Sequence, residues 1–501
     1  MHIIMSDRLK IDINKRFPSD ITIESGKVIH FVGLGGIGMS GLAKFLLELG
    51  FKVSGSDLKD GPTMFSISAH GGTVYVGHNA ENIEKASLVV VSSAIKKDNP
   101  EIVEALKRNI LIIHRSHVLE ALMSGLGRDV NNKQTTIGVS GTHGKTTTTG
   151  MISLVFDDAK LNPSIVVGGQ MPFLNTNSKL GNGKYFVAEL DESDGSIELY
   201  TPDISVITNL EHDHPDHYIG GLDQLLDTIE RCIKKLKPES KIIACADCSG
   251  VRKLLSRINH PGVILYSIDE KNELFSKAKY VAKNVVAKGL NTTADIYQDG
   301  KFVGVLKLGV PGIHNVADAL ATIAVALECG LDYEKISASL ARFTGMKRRF
   351  QLLGTVNGAK IIDDYAHHPT EVQAVLRAAR SVIESNGKGR VVAFFQPHRY
   401  SRLADLWNDF RESFHDADVL YVCDVYAACE SPIEGITSEK FSREVNHKNA
   451  HYAPGAVDRM AALMSSVCMP DDLVLTIGAG DITKLGYIAI EKEGQDRTVM
   501  A

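Results

Sequence analysis

The sequence predicts an α/β protein of three domains: an N-terminal Rossmann-like domain, a central P-loop-type domain on a mostly parallel sheet, and a C-terminal Rossmann-like domain. Three observations predict it. Three segments each open on a strand-like apolar run and then alternate strands with helices, the pattern of parallel α/β sheets. Glycine-rich turns sit at two of the strand–helix junctions, where backbone N–H groups can receive phosphate. A chain of 501 residues is too long for one hydrophobic core.

The first segment opens with Val28-Ile-His-Phe-Val32, turns through Gly33-Leu-Gly35-Gly-Ile-Gly38 and continues as a helix over Met39 to Leu49. A second strand over Lys52 to Ser56 ends at Asp57, where a dinucleotide fold carries its ribose-binding acid. A later strand is read at Leu88–Val91, and a polar connector at 128–133 closes the segment. Taken alone, the glycines and Asp57 fit an NAD or FAD domain. The motif says that a diphosphate is held, not which nucleotide.

The second segment opens with Thr135-Thr-Ile-Gly-Val139 and carries strands at Tyr185–Ala188, Ile204–Ile207 and Lys241–Ala244. After its first strand comes Ser140-Gly141-Thr142-His143-Gly144-Lys145-Thr146-Thr147. A Gly-Lys-Thr at such a junction cradles nucleotide phosphates, with the lysine on their charge and the threonine hydroxyl on Mg²⁺. A strict P-loop would have glycine at 139, where Val139 stands, so this loop is a variant. Two later strands end in acids: Glu189-Leu-Asp-Glu-Ser-Asp194 and Thr208-Asn-Leu-Glu-His-Asp-His214-Pro-Asp-His217. The first supplies oxygen ligands suited to Mg²⁺. The second fits Mg²⁺–phosphate work beside the loop, with zinc or iron as the other reading.

The third segment opens near Phe350, with strands at Lys360–Ile362, Val391–Phe395, Val419–Val422 and Leu473–Ile477. Arg399 and Arg402 lie three apart, so on a helix they would share a face and clamp a small carboxylate. Domain limits are expected at 1–132, 133–347 and 348–501.

Composition narrows the class further. A net charge of −5 argues against nucleic-acid binding, so acidic ligands must be met by local charge. Seven scattered cysteines fit a reducing compartment, and Cys245-x-x-Cys248 lacks the second pair a zinc site needs. No signal-peptide core and no apolar run long enough to span a bilayer is present, so a cytoplasmic protein with no membrane partner is expected.

With these residues in view, the chain resembles the Mur ligases over nearly its whole length. The landmarks are the runs at 33–39, 141–147, 189–194 and 208–214, then Pro311-Gly-Ile-His-Asn315, Lys347-Arg-Arg-Phe350, Asp363-Asp-Tyr-Ala-His-His-Pro369, Phe395-Gln-Pro-His-Arg-Tyr-Ser-Arg402 and Gly478-Ala-Gly-Asp-Ile482. The resemblance implies a bacterial, ATP- and Mg²⁺-dependent acid–amino-acid ligase of peptidoglycan precursor synthesis. It points to the member that joins L-alanine to the carboxylate of UDP-N-acetylmuramate through an acyl phosphate. The alternative is the sibling that adds a recycled murein tripeptide to the same sugar nucleotide.

By the same resemblance the first loop holds UDP rather than NAD, through Gly35, Gly36, Ile37, Gly38, Asp57, Ser92 and Ser93. ATP would be held by Gly141, Thr142, His143, Gly144, Lys145, Thr146, Thr147, His314, Asn315, Arg349 and Asp364. Thr146, Glu189 and His214 would be metal ligands. Tyr365, His367, Arg399 and Arg402 would meet the amino acid. Lys145, His214 and His367 would be catalytic, with His368 a further candidate base. Lys145→Ala is expected to abolish turnover and leave the fold intact. A monomer or weak homodimer is expected. His117, Asp318 and Cys429 depart from the family pattern, and the carbamylated lysine of sibling ligases has no counterpart in Asp227-Thr-Ile-Glu-Arg-Cys232.

Overall fold

The computed structural model describes residues 12–129, 132–214, 217–428 and 430–500. The departure at Cys429, like part of the 128–133 connector, lies outside them. The described residues form two compact units, one within 1–212, 216–266 and 324–331, the other within 213–215, 267–323 and 332–501.

In the first unit, five short strands rich in Val and Ile form a wholly parallel sheet. They are β1 (Val28–Val32), β2 (Lys52–Asp57), β3 (Thr73–Val76), β4 (Ala86–Val91) and β5 (Leu111–His114), in the order β3-β2-β1-β4-β5. The order reverses between β1 and β4, and the crevice beyond the carboxyl ends there is where open α/β sheets take ligands. The first helix is Ile37–Glu48, two residues earlier than the predicted start.

Strands β6 (Thr135–Ser140), β7 (Ser164–Met171), β8 (Thr176–Lys179), β9 (Tyr185–Glu189), β10 (Ile204–Ile207), β11 (Lys241–Cys245) and β12 (Val263–Ser267) follow, in the order β12-β11-β10-β6-β9-β7-β8. All pairs are parallel except the β7–β8 hairpin. Both sheets of this unit contribute to one continuous core, in which Phe45 of the first helix stacks on Phe186 of β9 at 5.5 Å.

In the second unit, β13 (Tyr280–Lys288), β14 (Asn291–Gln298) and β15 (Lys301–Leu308) make an antiparallel meander that the βαβ pattern did not predict. Asp299-Gly300 closes its second hairpin with both residues at positive φ, 48° and 73°, the requirement of a tight primed turn. The remaining strands are β16 (Gln351–Val356), β17 (Ala359–Asp364), β18 (Val391–Phe395), β19 (Val419–Cys423), β20 (Ala450–Ala453) and β21 (Leu473–Ile477). They run in the order β16-β17-β21-β18-β19-β20, all parallel except β16. The single tryptophan, Trp407, is half-buried beside Phe441, with the Lys440 ammonium over its ring.

The described cysteines are free thiols, and burial pushes Cys232, Cys245 and Cys468 up to about 12. No helix among the described residues is long and apolar enough to cross a membrane.

Candidate active site

The carboxyl ends of β6, β9 and β10 assemble one cluster. Gly144 caps the helix Lys145–Asp158 at φ 81°, a left-handed conformation that glycine adopts without strain. Gly141, at φ 135°, passes so close to Thr208 that a Cβ would lie 2.1 Å from its hydroxyl. The Thr208–Glu211 run is the brace of this loop. Thr208 Oγ1 donates to the His143 carbonyl at 2.6 Å, and Asn209 Oδ1 accepts the His143 N–H at 2.8 Å. The Glu211 N–H donates to Thr142 Oγ1 at 2.9 Å.

Lys145 turns back into its own loop. Its Nζ donates to the Gly141 carbonyl at 2.5 Å, to that of Thr142 at 3.1 Å and to Glu192 Oε1 at 3.0 Å. Glu192 is buried, which pushes its carboxyl up to about 7 against the pull of Lys145. Burial disfavours the Lys145 charge, yet Glu192, Asp191 and Glu189 outweigh it and hold the ammonium above its ordinary value. Thr146 Oγ1 donates to Glu189 Oε1 at 3.0 Å, and the second Glu189 oxygen accepts the Gly168 N–H at 2.7 Å. A hydroxyl and a carboxylate this close are hard oxygen donors of the kind Mg²⁺ takes, so the donor set fits. Thr147 is buried in the first turn of the same helix.

The other loop lies at the β1–β2–β4 carboxyl ends. Gly33 and Leu34 donate their N–H groups to the Ser56 carbonyl, and the Gly35 N–H donates to Asp57 Oδ2 at 2.9 Å. Asp57 thus fixes the glycine turn. Gly36 is the extended N-cap of the helix that Ile37 and Gly38 begin. Just beyond β4, Ser93 Oγ donates to Asp194 Oδ2 at 2.5 Å and meets His114 Nε2 at 3.1 Å, whereas Ser92 lies beside it with its carbonyl accepting the Ile95 N–H. Arg115 donates to Asp191 Oδ2 at 2.7 Å, and its guanidinium would stand 3.3 Å from a Cβ on Gly38. Sequence reasoning passed over His114 and gave Arg115 no site role, and it read Asp191 and Asp194 only as part of an acidic run suited to Mg²⁺, not as partners of Arg115 and Ser93. Their signal was position, at the ends of β5 and β9. The ring nitrogens of His117, one of the departures, lie 3.2 Å from the His114 carbonyl and 2.9 Å from that of Asp12.

In the second unit the carboxyl ends of β17, β18, β19 and β21 converge. Tyr365 stacks against Arg348 and Arg349, with guanidinium carbons 4.8 and 5.4 Å from the ring centre. Arg348 clamps the Gly478 and Gly480 carbonyls, and Arg349 lies 3.7 Å from Glu371. Asp364, buried and pushed up to about 6, accepts the N–H groups of Phe350 and Ala366 at 2.7 Å each. Burial pushes His314 down to about 4, helped by Arg349, and Asn315 Nδ2 bonds to the Pro311 carbonyl at 2.7 Å. Asp318 is buried, with its carbonyl accepting the Thr322 hydroxyl.

His367 Nδ1 donates to the Tyr365 carbonyl at 3.0 Å and lies 3.3 Å from Glu371. Burial pushes it down to about 3, so it is neutral. His398, also pushed to about 3 by burial, stacks on Tyr426 at 5.5 Å and meets His367 edge-on. His368 is buried and caps the helix Pro369–Asn386.

The two arginines do not share a helix face. Arg399 precedes the helix Tyr400–Asp405 as its N-cap, at φ 71° and ψ 138°, and its N–H reaches the Tyr426 carbonyl. The strand-end turn takes the place of the first helical turn that the spacing suggested. Arg402 lies inside the helix, buried, facing His398 and Asp213. His214, at φ 56°, is held by its neighbour Asp213, which accepts its N–H at 2.7 Å. Burial would raise the Asp213 carboxyl, but His214, Arg402, His367 and His368 hold it far below the usual carboxylate range.

Sheets whose polar side chains gather at carboxyl strand ends, one bearing a lysine–threonine loop opposite a carboxylate, define a multidomain α/β protein of the phosphate-loop class. The chain belongs to the Mur ligase family. Family models described as the Mur ligase family catalytic domain, the Mur ligase middle domain and the Mur ligase glutamate ligase domain match residues 28–126, 139–326 and 348–480. It is 42% identical to the UDP-N-acetylmuramate–L-alanine ligase of Geobacter sp. (strain M21), over 92% of this chain and 97% of that protein. The enzyme of that name from Pelotomaculum thermopropionicum is 41% identical over 94% and 98%. Among solved structures, the UDP-N-acetylmuramate–alanine ligase of Thermotoga maritima superposes with a TM-score of 0.78 at 28% identity, covering 93% of this chain and 99% of that one. A murein peptide ligase from Psychrobacter arcticus shares the fold, with a TM-score of 0.68 at 22% identity over 94% and 99%.

Proposed function

We propose that this chain joins L-alanine to the carboxylate of UDP-N-acetylmuramate at the expense of ATP, in bacterial peptidoglycan precursor synthesis. The observation that carries the reading is likeness along nearly the whole chain to ligases of that name. The proposed domains are 1–132 for the sugar nucleotide, 133–347 for ATP and 348–501 for the amino acid. A cytoplasmic monomer or weak homodimer acting on small molecules is part of the same reading.

The muramyl carboxylate attacks the γ-phosphorus, ADP leaves, and an acyl phosphate results. The amine then attacks the acyl carbon and phosphate departs. Carboxylate and triphosphate repel, so charge must be neutralised where it develops. Lys145 supplies a fixed positive charge at the turn, and its bonds to the Gly141 and Thr142 carbonyls aim it along the loop. Bound Mg²⁺ would neutralise phosphate oxygens as a Lewis acid, one ion held by Thr146 and Glu189 and His214 helping to hold a second. Gly35, Gly36, Ile37, Gly38, Asp57, Ser92 and Ser93 form the proposed UDP seat, and His314, Asn315, Arg349 and Asp364 complete the ATP seat.

The amino acid sits among Tyr365, His367, Arg399 and Arg402. Because His367 Nδ1 donates to a carbonyl, its Nε2 is left as an acceptor for an amine N–H. With its pKa depressed to about 3, it orients the amine rather than storing its proton.

Phosphate release measured with UDP-N-acetylmuramate fixed, against a panel of amino acids and a murein tripeptide, tests the reading. Release should require both the sugar nucleotide and L-alanine. Release with neither acceptor, or only with the tripeptide, would overturn it.

A further inference from the structure

Arg402 is only 5% exposed, and its guanidinium is incompletely satisfied. Nη1 meets His398 Nδ1 at 3.2 Å and Nη2 reaches Asp213 Oδ1 at 3.4 Å, while Nε has no hydrogen-bond partner among the described residues. A carboxylate is held best by two parallel N–H donors, and the Nε–Nη2 edge offers such a pair. Asp213 uses half of that edge, over a long contact. Its Oδ1 is already committed to the His214 N–H at 2.7 Å, and its Oδ2 lies 3.4 Å from His214 Nε2. Asp213 is also only 5% exposed, so two buried charges share one weak contact. Such a pair gains from a better-placed partner.

Resting on the reading that Arg402 receives the amino-acid carboxylate, we propose that Asp213 is a placeholder that sets the specificity of that seat. Without amino acid, its carboxylate occupies half the place the substrate carboxylate takes. The substrate binds Nε and Nη2 together and frees Asp213 to its bonds with His214. A ligand must therefore bring a carboxylate to displace it, and an amine without one gains nothing at Arg402.

The test is calorimetric titration of L-alanine and of L-alaninamide into wild-type and Asp213→Asn proteins, with sugar nucleotide and a non-hydrolysable ATP analogue present. Removing the competing charge should tighten L-alanine binding by roughly three- to tenfold, in proportion to the population the placeholder occupies. Alaninamide binding should be unchanged. In turnover, the KM for alanine should fall without a rise in kcat. Weaker or unchanged alanine binding, or equal shifts for both ligands, would overturn the placeholder and mark Asp213 as structural. Should Asp213→Asn fail to fold, Asp213→Ser carries the same comparison. A wild-type protein that binds no amino acid would overturn the Arg402 assignment itself, and this inference with it.

Discussion

Lys145, the proposed phosphate-binding residue, also carries structure. The residue types alone suggest that truncating it removes activity and leaves the fold whole. The Glu192 pair alters that expectation, because a buried carboxylate loses its counter-charge. Lys145→Met should lower phosphate release by at least about 100-fold, the scale of one lost electrostatic stabiliser. It should also destabilise the protein by about 3–5 kcal/mol, the usual consequence of orphaning a buried charge. The sign of its pH dependence follows from Glu192, whose folded pKa, about 7, is raised. The stability tied to that group is complete below its ordinary value of 4.5 and is lost as pH rises through about 7. Adding Glu192→Gln should therefore restore much of the melting temperature at pH 8 but none of the turnover. A double variant that melts no higher than Lys145→Met would show that the pair carries little of the fold.

At the scale of elements, the parallel strands and both glycine turns were legible because each is a local pattern. Apolar runs of four to six residues ending in Gly, Asp or Glu mark strand ends wherever they occur. The β13–β15 meander was missed because it shows no βαβ rhythm, although Asp299-Gly300 is a turn pair that announces a hairpin, as Asn357-Gly358 does between β16 and β17. The site was legible where it follows a glycine loop or sits in an acidic strand end. It was illegible where topology does the gathering. His398 and Tyr426 come from the ends of β18 and β19 and meet only because those strands are neighbours. The Arg399–Arg402 spacing misled for the same reason, since the helix begins one residue after Arg399. At φ 71°, ψ 138°, Arg399 occupies backbone space that costs a side-chain-bearing residue about 1–3 kcal/mol. Arg399→Gly should consequently melt no lower than wild type while raising the KM for alanine. A clear drop in melting temperature would mean that the side chain's contacts outweigh the strain.

Across the whole molecule, polar clusters away from the loops set its tolerance of acid. Glu101 is wholly buried and accepts from Ser56 Oγ and Asn82 Nδ2 at 2.6 Å each, beside His30 and His78. Burial would raise its pKa, but His30, Ser56 and Asn82 prevail and lower it below the ordinary 4.5. A depressed carboxylate contributes stability above its unfolded value and loses it as pH falls through the folded one. The melting temperature should accordingly fall steeply below about pH 4.5. Glu101→Gln should melt lower at neutral pH, by about 1–3 kcal/mol in stability for lost charged hydrogen bonds, and show a shallower acid limb. An acid limb of unchanged slope would move this linkage to another carboxylate.

The lone indole gives the molecule a built-in lamp. Trp407 begins the short helix that follows the Arg402 helix, in the second unit, so intrinsic emission excited at its red edge arises from one place in the chain. Unfolding followed by that light registers the second unit alone, whereas far-ultraviolet dichroism sums over both. Any gap between the two traces would measure, without a label, how independently the units melt.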